Sequence, residues 1–382
     1  MAREQLPAGA RKRPGGGYEW RFTVPDVPGR RFSVGAPTIK ELKERQAEKA
    51  KEIKAGIYKT SKAITVCEYF NEWIDRKRGT VKPITIFTYT KIFNLHIKPA
   101  IGSVKVKQLE RRQVLALQTG MKKEGRIYLA NYCMTLLKSL LKSAVKDSIV
   151  IRNVAEAIPR LSTKEQKPAR ETIHRELSKE ELKIFFKYSG ISSYNAAFHF
   201  MLYTGVRAGE CAALEWQDID WKNKLIHIRR TMTRGEDGKI ILGKSTKTRT
   251  SKRDFPMNTK IYQIIREQYT LYTGTHGNMI NINDPVFPAA RGGYANSKIY
   301  CGSIKSIVRK IQKCDPDKAI KLFSVHAFRD TFASRAIRAG VIPNTLKEIL
   351  GHSSLAMTMD LYAHVSSEDK QKAMDVLEAV EI

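Results

Sequence analysis

His326-Ala327-Phe328-Arg329-Asp330-Thr331-Phe332-Ala333 is the stretch from which the fold is read. His326 and Arg329 stand three positions apart, so on a helix they share one face. Phe328, Phe332 and Ala333 then turn toward a core. A lone histidine is more often structural, but a histidine beside an arginine makes a pair of hydrogen-bond donors for an anion. Further along comes Leu350-Gly351-His352-Ser353-Ser354. Gly351 is expected to end a helix begun near Pro343 and to leave His352 exposed at the break. Tyr362 follows ten positions after His352, beside an expected apolar stripe of Met357, Leu361 and Val365. A tyrosine in such a helix is ordinarily a core residue and carries no signal alone.

Two further segments lie upstream. In Thr204-Gly205-Val206-Arg207-Ala208-Gly209-Glu210, Gly205 permits a tight turn after one helix and Arg207 opens the next. An arginine there can fork onto a phosphate, and Glu210, one turn on, either fixes the arginine or supports the helix. The other segment is the basic run Lys244-Ser245-Thr246-Lys247-Thr248-Arg249-Thr250-Ser251-Lys252-Arg253. Taken alone it reads as a solvated loop. A mobile lysine on a sheet edge nevertheless serves as a proton donor if it reaches a leaving oxygen.

The bulk numbers agree with a polyanion as partner. Lys plus Arg outnumber Asp plus Glu by 68 to 38, giving a formal net charge of +30. That excess points to nucleic acid, with a generic basic surface as the bland alternative. Cys67, Cys133, Cys211, Cys301 and Cys314 form no CxxC pair, so neither a zinc ribbon nor a redox motif is suggested, and dispersed thiols fit a reducing cytoplasm. No apolar run follows the basic N-terminus, and none reaches the roughly 20 residues that span a bilayer. A soluble cytoplasmic protein without a membrane partner is expected.

The expected fold is multidomain, mainly α with small antiparallel sheets. Residues 1–58 read as a small sheet plus one helix. Tyr18, Trp20, Phe22 and Val24 alternate with polar residues, a second alternation begins at Phe32 and Val34, and a helix runs from a Thr38/Glu41 capping box to Gly56. Its arginines suggest phosphate contacts, although a packing module fits equally well. Residues 62–158 read as helical. A Thr65/Glu68 capping box opens the region, further helices follow Pro83 and cover 111–121, and the strongest helix runs from 126 to 146. Lys138, Lys142 and Lys146 are expected on the outer face of that last helix. Residues 159–174 read as a linker rich in Lys, Arg and Pro. Residues 175–382 read as an α+β domain with one small antiparallel sheet, strands at 225–229, 240–242 and 253–256, a hairpin turn at Gly235-Glu236-Asp237-Gly238, and a last amphipathic helix at 370–380.

Together the four segments closely resemble the catalytic signature of the tyrosine recombinases, the phage integrases and their relatives. The family's ordered set is Arg, Lys, His-x-x-Arg, a His within Leu-Gly-His, and a Tyr nine or ten residues on. Arg207, Lys247, His326, Arg329, His352 and Tyr362 match it. The span from Arg207 to Lys247 is long, which suggests an enlarged hairpin, and Lys244 and Lys252 compete with Lys247. Asp330 stands where many relatives carry His or Arg. Region 62–158 is similar to the family's helical, SAM-like core-binding domain, and region 1–58, less specifically, to the arm-binding domain of the longer integrases.

The resemblance implies that Tyr362 attacks the scissile phosphodiester and forms a 3′-phosphotyrosine. His326 acts as base, Arg207 and Arg329 neutralise the phosphate, His352 donates a hydrogen bond, and Lys247 protonates the leaving 5′-oxygen. No cofactor is expected, and the arginines take the place a metal would fill. Implied partners are double-stranded DNA at attachment sites, a homo-tetramer passing through a Holliday junction, and an excisionase-type directionality factor. The C-terminal helix is expected either to dock on a neighbouring subunit or to pack on its own domain. Two rivals remain. Thr345–Leu361 reads as the helix-turn-helix of a transcription factor, which leaves Arg207, His326/Arg329 and Tyr362 without a role. A type IB topoisomerase shares the chemistry but not the small N-terminal domain and helical second region.

Overall fold

In the N-terminal region, Trp20 and Phe22 stack at 4.2 Å between ring centroids because residues two apart on a strand share a face. The computed structural model describes residues 6–23, 31–54, 64–163, 175–243, 252–277 and 279–362. The chain divides into two compact units, Met1–Gln166 and Lys167–Ile382.

The first unit opens with strands β1 (Ala10–Lys12), β2 (Tyr18–Thr23) and β3 (Arg31–Ala36), antiparallel in that order, with Trp20 opposite Val34. Helix α1 (Ile39–Lys54) follows, and Phe22, Ala36 and Leu42 are buried. The opposite face of β2 carries Glu19, which draws Arg11, Arg13 and Arg21 to within 3.0, 3.8 and 3.4 Å. The Thr38 hydroxyl accepts from the Glu41 amide, while the Glu41 carboxylate pairs with Arg45. Val24 and Gly56 lie outside the described residues.

A helical bundle follows. Helix α2 (Val66–Lys77) starts at Thr65 with both arms of the capping box present. Helix α3 (Pro83–Ile92) runs through a π-turn, Phe93–Ile97, into the short α4 (Lys98–Ile101). Pro99 has no N–H to offer the helical ladder, and the adjacent widened turn accommodates that loss. Helices α5 (Arg111–Lys123) and α6 (Ile127–Lys146) complete the bundle. The α6 face with Cys133, Leu136, Leu137, Leu140, Leu141 and Ala144 is buried against Tyr69, Phe70, Trp73 and Phe93. The Trp73 indole donates to Ser143 at 3.0 Å, which satisfies its buried N–H. Lys142 and Lys146 are exposed as expected, but Lys138 is half-buried and donates to the Ile158 carbonyl at 2.7 Å. Its ammonium therefore holds the chain as it leaves the bundle. Asn131 extends that hold by pairing with both the amide and the carbonyl of Leu161.

The second unit begins with α7 (Lys179–Ser189), capped reciprocally by Ser178 and Glu181, and α8 (Asn195–Thr204). Gly205 ends α8 in the left-handed region at φ 65°. The five-residue α9 (Ala208–Ala212) follows. The strands form two sheets, not the single one expected. Strands β4 (Ile219–Asp220), β5 (Leu225–Ile228) and β8 (Arg253–Pro256) pair in that order, while β6 (Thr231–Arg234) pairs with β7 (Ile240–Gly243) as a separate hairpin. Strand β6 is not legible in the sequence, because Thr-Met-Thr-Arg carries no apolar alternation and all four residues are half-buried. This hairpin lies within the long span between Arg207 and Lys247. It packs closely on α9, since a Cβ on Gly209 would stand 2.6 Å from Thr231 Oγ1 and 2.9 Å from the Met232 carbonyl oxygen.

Helices α10 (Thr259–Thr275), α11 (Ser297–Cys314), α12 (His326–Arg338), α13 (Pro343–Leu350) and α14 (Ala356–Tyr362) complete the unit. Phe185, Phe198, Phe323 and Phe328 pack edge-on or stacked at 5.1–5.7 Å at the centre of its core. Met357 is exposed, contrary to the apolar stripe expected on α14, and Thr358 is fully buried there. Leu361 (as a side chain), Val365 and the helix expected at 370–380 lie outside the described residues. Among the described residues no helix is long and apolar enough to cross a membrane.

Candidate active site

The site is built around the last turn of α13. Gly351 ends that helix in the left-handed region at φ 65°, so the carbonyls of Ile349, Leu350 and Gly351 are left without helical donors. Three arginines supply them. Arg329, on α12, donates to the Leu350 carbonyl at 2.8 Å and to the Gly205 carbonyl at 2.7 Å. Arg207, the N-cap of α9, donates to the Gly351 carbonyl at 3.0 Å and to Leu350 at 3.4 Å. Arg253, on β8, donates to the Ile349 carbonyl at 2.7 Å. The structure therefore joins the turns after α8 and α13, residues 205 and 350 in the chain, through one buried guanidinium.

Glu210 lies among these cations. Its Oε1 accepts from Arg207 at 3.0 Å and its Oε2 from Arg253 at 2.8 Å, and the side chain is almost wholly buried. The acid thus fixes the arginine, one of the two roles considered for it. Burial alone would raise the carboxyl's pKa. The Arg253 hydrogen bond and the Arg253 and Arg207 charges outweigh burial and hold it below its ordinary range. Three guanidiniums against this one buried carboxylate leave an excess of positive charge. Burial, with Arg207 and Arg253 nearby, pushes Arg329 down to about 9, although Glu210 and Asp330 work the other way. A pocket in which a cation is this strained favours an incoming anion.

His352 is buried, which corrects the expectation that the helix break would expose it. Its amide donates back to the Lys347 carbonyl, and its Nδ1 lies 2.9 Å from the hydroxyl of the fully buried Thr358 on α14. The turn folds the ring inward, against α14. Burial, followed by the Arg329, Arg207, His326 and Arg253 charges, pushes its pKa down to about 4, so it is neutral at physiological pH.

His326 stands at the exposed start of α12, and Arg329, one turn further into the helix, is buried. The His326 Nε2 lies 3.5 Å from Asp330 Oδ1. The Thr331 hydroxyl anchors this helix by accepting from the Leu177 amide and donating to the Ala327 carbonyl. Four of the predicted residues are therefore described with their side chains. Arg207, Arg329 and His352 meet at one turn, and His326 is near enough to influence His352 electrostatically. Lys247 and its competitor Lys244 lie outside the described residues, while Lys252 is exposed. Tyr362 is the last residue of α14, and its side chain lies outside the described set.

Two residues had been passed over. In sequence Arg253 is only the end of a basic loop and the start of a strand. The available signal was its register, because it alternates with exposed Asp254 to share an inward face with buried Phe255. Thr358 offered no signal, since its contact with His352 depends on how α14 folds back. Among the described residues no group of three or more His, Cys, Asp or Glu side chains is arranged to hold a metal ion.

The phage integrase family profile matches residues 175–369, and that of the family's N-terminal SAM-like domain matches residues 65–122. The transposase from transposon Tn916 of Enterococcus faecalis is 25% identical over 364 residues, covering 94% of this chain and 87% of the relative. The ICEBs1 integrase of Bacillus subtilis is 24% identical over 351 residues, covering 90% of each. Among solved structures, the Tn1549 transposon integrase with a circular intermediate DNA superposes with a TM-score of 0.68 at 24% identity, covering 82% of this chain and 99% of that one. The lambda integrase tetramer on a Holliday junction gives 0.53 at 14% identity, covering 92% and 97%. With the arginine pocket, these matches place the fold and the chemistry together: the chain belongs to the phage integrase family and is a tyrosine recombinase, an enzyme that breaks and rejoins DNA site-specifically for a mobile element.

Proposed function

We propose that the reaction runs through Tyr362, with Arg207 and Arg329 holding the scissile phosphate. The observation that carries this reading is the convergence of both guanidiniums on the carbonyls of one turn, with His352 next in the chain. The Tyr362 oxygen attacks phosphorus, and its proton passes to His326. The bond to O5′ breaks, and Lys247 protonates that oxygen as it leaves. A 3′-phosphotyrosine and a 5′-hydroxyl result, and rejoining reverses each transfer. The arginines neutralise charge as it builds on the non-bridging oxygens. The proposal assigns the Thr358 hydroxyl, 2.9 Å from Nδ1, as donor to the neutral His352 ring, which leaves the ring proton on Nε2 to donate to the phosphate. Asp330 steadies His326 from the adjacent helical turn.

Within this proposal, residues 1–58 read arm-type sites through the arginines around Glu19, and residues 62–158 grip the core site. Residues 159–174 link them to the catalytic region 175–382, which includes the C-terminal helix. The enzyme works in the cytoplasm as a homo-tetramer on attachment sites, passes through a Holliday junction, and takes its direction from an excisionase-type factor. The tetrameric and DNA-bound forms of related integrases support this reading.

A nicked suicide duplex spanning the joined ends of the element tests it. The wild type is expected to form a covalent complex without added metal, and Tyr362→Phe none. Trapping by the phenylalanine variant contradicts the assignment. A 5′-thio leaving group is expected to rescue Lys247→Ala but not Arg207→Ala. Rescue of a Lys244 or Lys252 variant in its place moves the proton donor to that lysine.

A further inference from the structure

We propose that Arg253 is a positioning residue for the phosphate pocket, fixing Arg207 through Glu210 and fixing the turn that presents His352 through the Ile349 carbonyl. The inference rests on the reading that Arg207 holds the scissile phosphate. The Arg253 side chain is 8% exposed, buried in the register of a strand where its neighbour Phe255 is apolar. Buried ion pairs are often no more stabilising than well-packed apolar residues, so stability alone gives little reason for an arginine here.

Its bonds supply a functional reason. Nε holds the Ile349 carbonyl at 2.7 Å, three residues before His352. Nη2 holds Glu210 Oε2 at 2.8 Å, and Glu210 Oε1 holds Arg207 at 3.0 Å. Glu210 Oε2 also accepts from the Arg207 amide at 3.0 Å, so the same carboxylate sets both the backbone and the side chain of Arg207. Paired with Arg253, Glu210 leaves Arg207 most of its charge for an external anion. Without Arg253, the full carboxylate charge falls on Arg207, which is drawn inward and neutralised. Because Arg253 begins the strand that follows the lysine-bearing run in sequence, one residue ties three catalytic segments together.

The test uses the full-length protein and the nicked duplex described above, with the scissile group either a phosphodiester or a neutral methylphosphonate. The methylphosphonate lacks the charge that Arg207 neutralises, so a defect arising through Arg207 shrinks on it, whereas a folding defect does not. Arg253→Met is expected to bind the duplex normally, to lose about 100-fold in covalent complex formation on the phosphodiester, and to lose less than about 5-fold on the methylphosphonate. Arg253→Lys keeps the charge but reaches one acceptor at a time, so a partial loss of about 10-fold on the phosphodiester is expected. If the methionine variant does not fold, the lysine variant carries the same comparison. Equal losses on both substrates, or cleavage at the wild-type rate, overturn the proposal. Arg207→Ala separates the two levels. If it shows no preference for the methylphosphonate, the reading of Arg207 itself fails. If it shows that preference while Arg253→Met cleaves like the wild type, only the inference about Arg253 fails.

Discussion

His352 shows how far a residue's surroundings depart from what its neighbours in sequence imply. Leu-Gly-His predicts the helix end, because glycine readily enters the left-handed region. The ring is buried instead against Thr358 of α14, and guanidiniums brought from α9, α12 and β8 add their charge to the effect of burial on its pKa. Arg253 is hard to pick out for a related reason, since it closes a basic run and, of the two described residues of that run, it is the buried side chain while Lys252 is exposed. The depressed His352 pKa makes stability depend on pH. The unfolded chain protonates this histidine near 6.5 and the folded one near about 4, so its contribution is complete above 6.5 and is lost as pH falls through that window. Urea denaturation of the DNA-free protein is expected to show a loss of about 2 kcal/mol from this group between pH 7 and pH 5. His352→Asn is expected to flatten that slope. An identical pH dependence in wild type and variant contradicts the burial described.

At the scale of elements, the locally encoded features were the legible ones. The Thr65/Glu68 and Ser178/Glu181 boxes, the caps at Gly205 and Gly351, and the apolar face of α6 depend on residues within a turn or two. The division of the strands into two sheets depends on long-range pairing between β5 and β8, which no periodicity records. Gly205 joins both levels. Its φ of 65° is strained for any side chain, and a Cβ would stand 2.4 Å from the Phe332 ring and 2.9 Å from Leu350 Cδ2. Gly205→Ala is expected to cost about 2–4 kcal/mol, combining left-handed strain with overpacking, and to show as a lowered urea midpoint. Because the Gly205 carbonyl holds Arg329, strand cleavage is expected to fall even where the variant remains folded. Cleavage at the wild-type rate contradicts this coupling.

For the whole molecule, the charge of +30 and the order of Arg207, the basic run, His326 with Arg329, His352 and Tyr362 are readable in the sequence, and the family resemblance that this order carries points to DNA. The positions of Lys247 and the Tyr362 side chain fall outside the described residues, so their assignment rests on order in the chain and on family membership. With this much positive charge, DNA affinity is expected to fall steeply with salt, by about 1000-fold or more between 50 and 200 mM if six or more phosphates are contacted. Filter binding of the element's end across that range checks it, and a flat profile contradicts electrostatic capture. In the proposed reaction a phosphotyrosine at one position links protein to DNA. Trapping the covalent complex on the nicked duplex, digesting it, and locating the nucleotide-bearing residue by mass spectrometry tests that claim most directly. The adduct is expected on Tyr362, and an adduct on any other residue overturns the proposed mechanism.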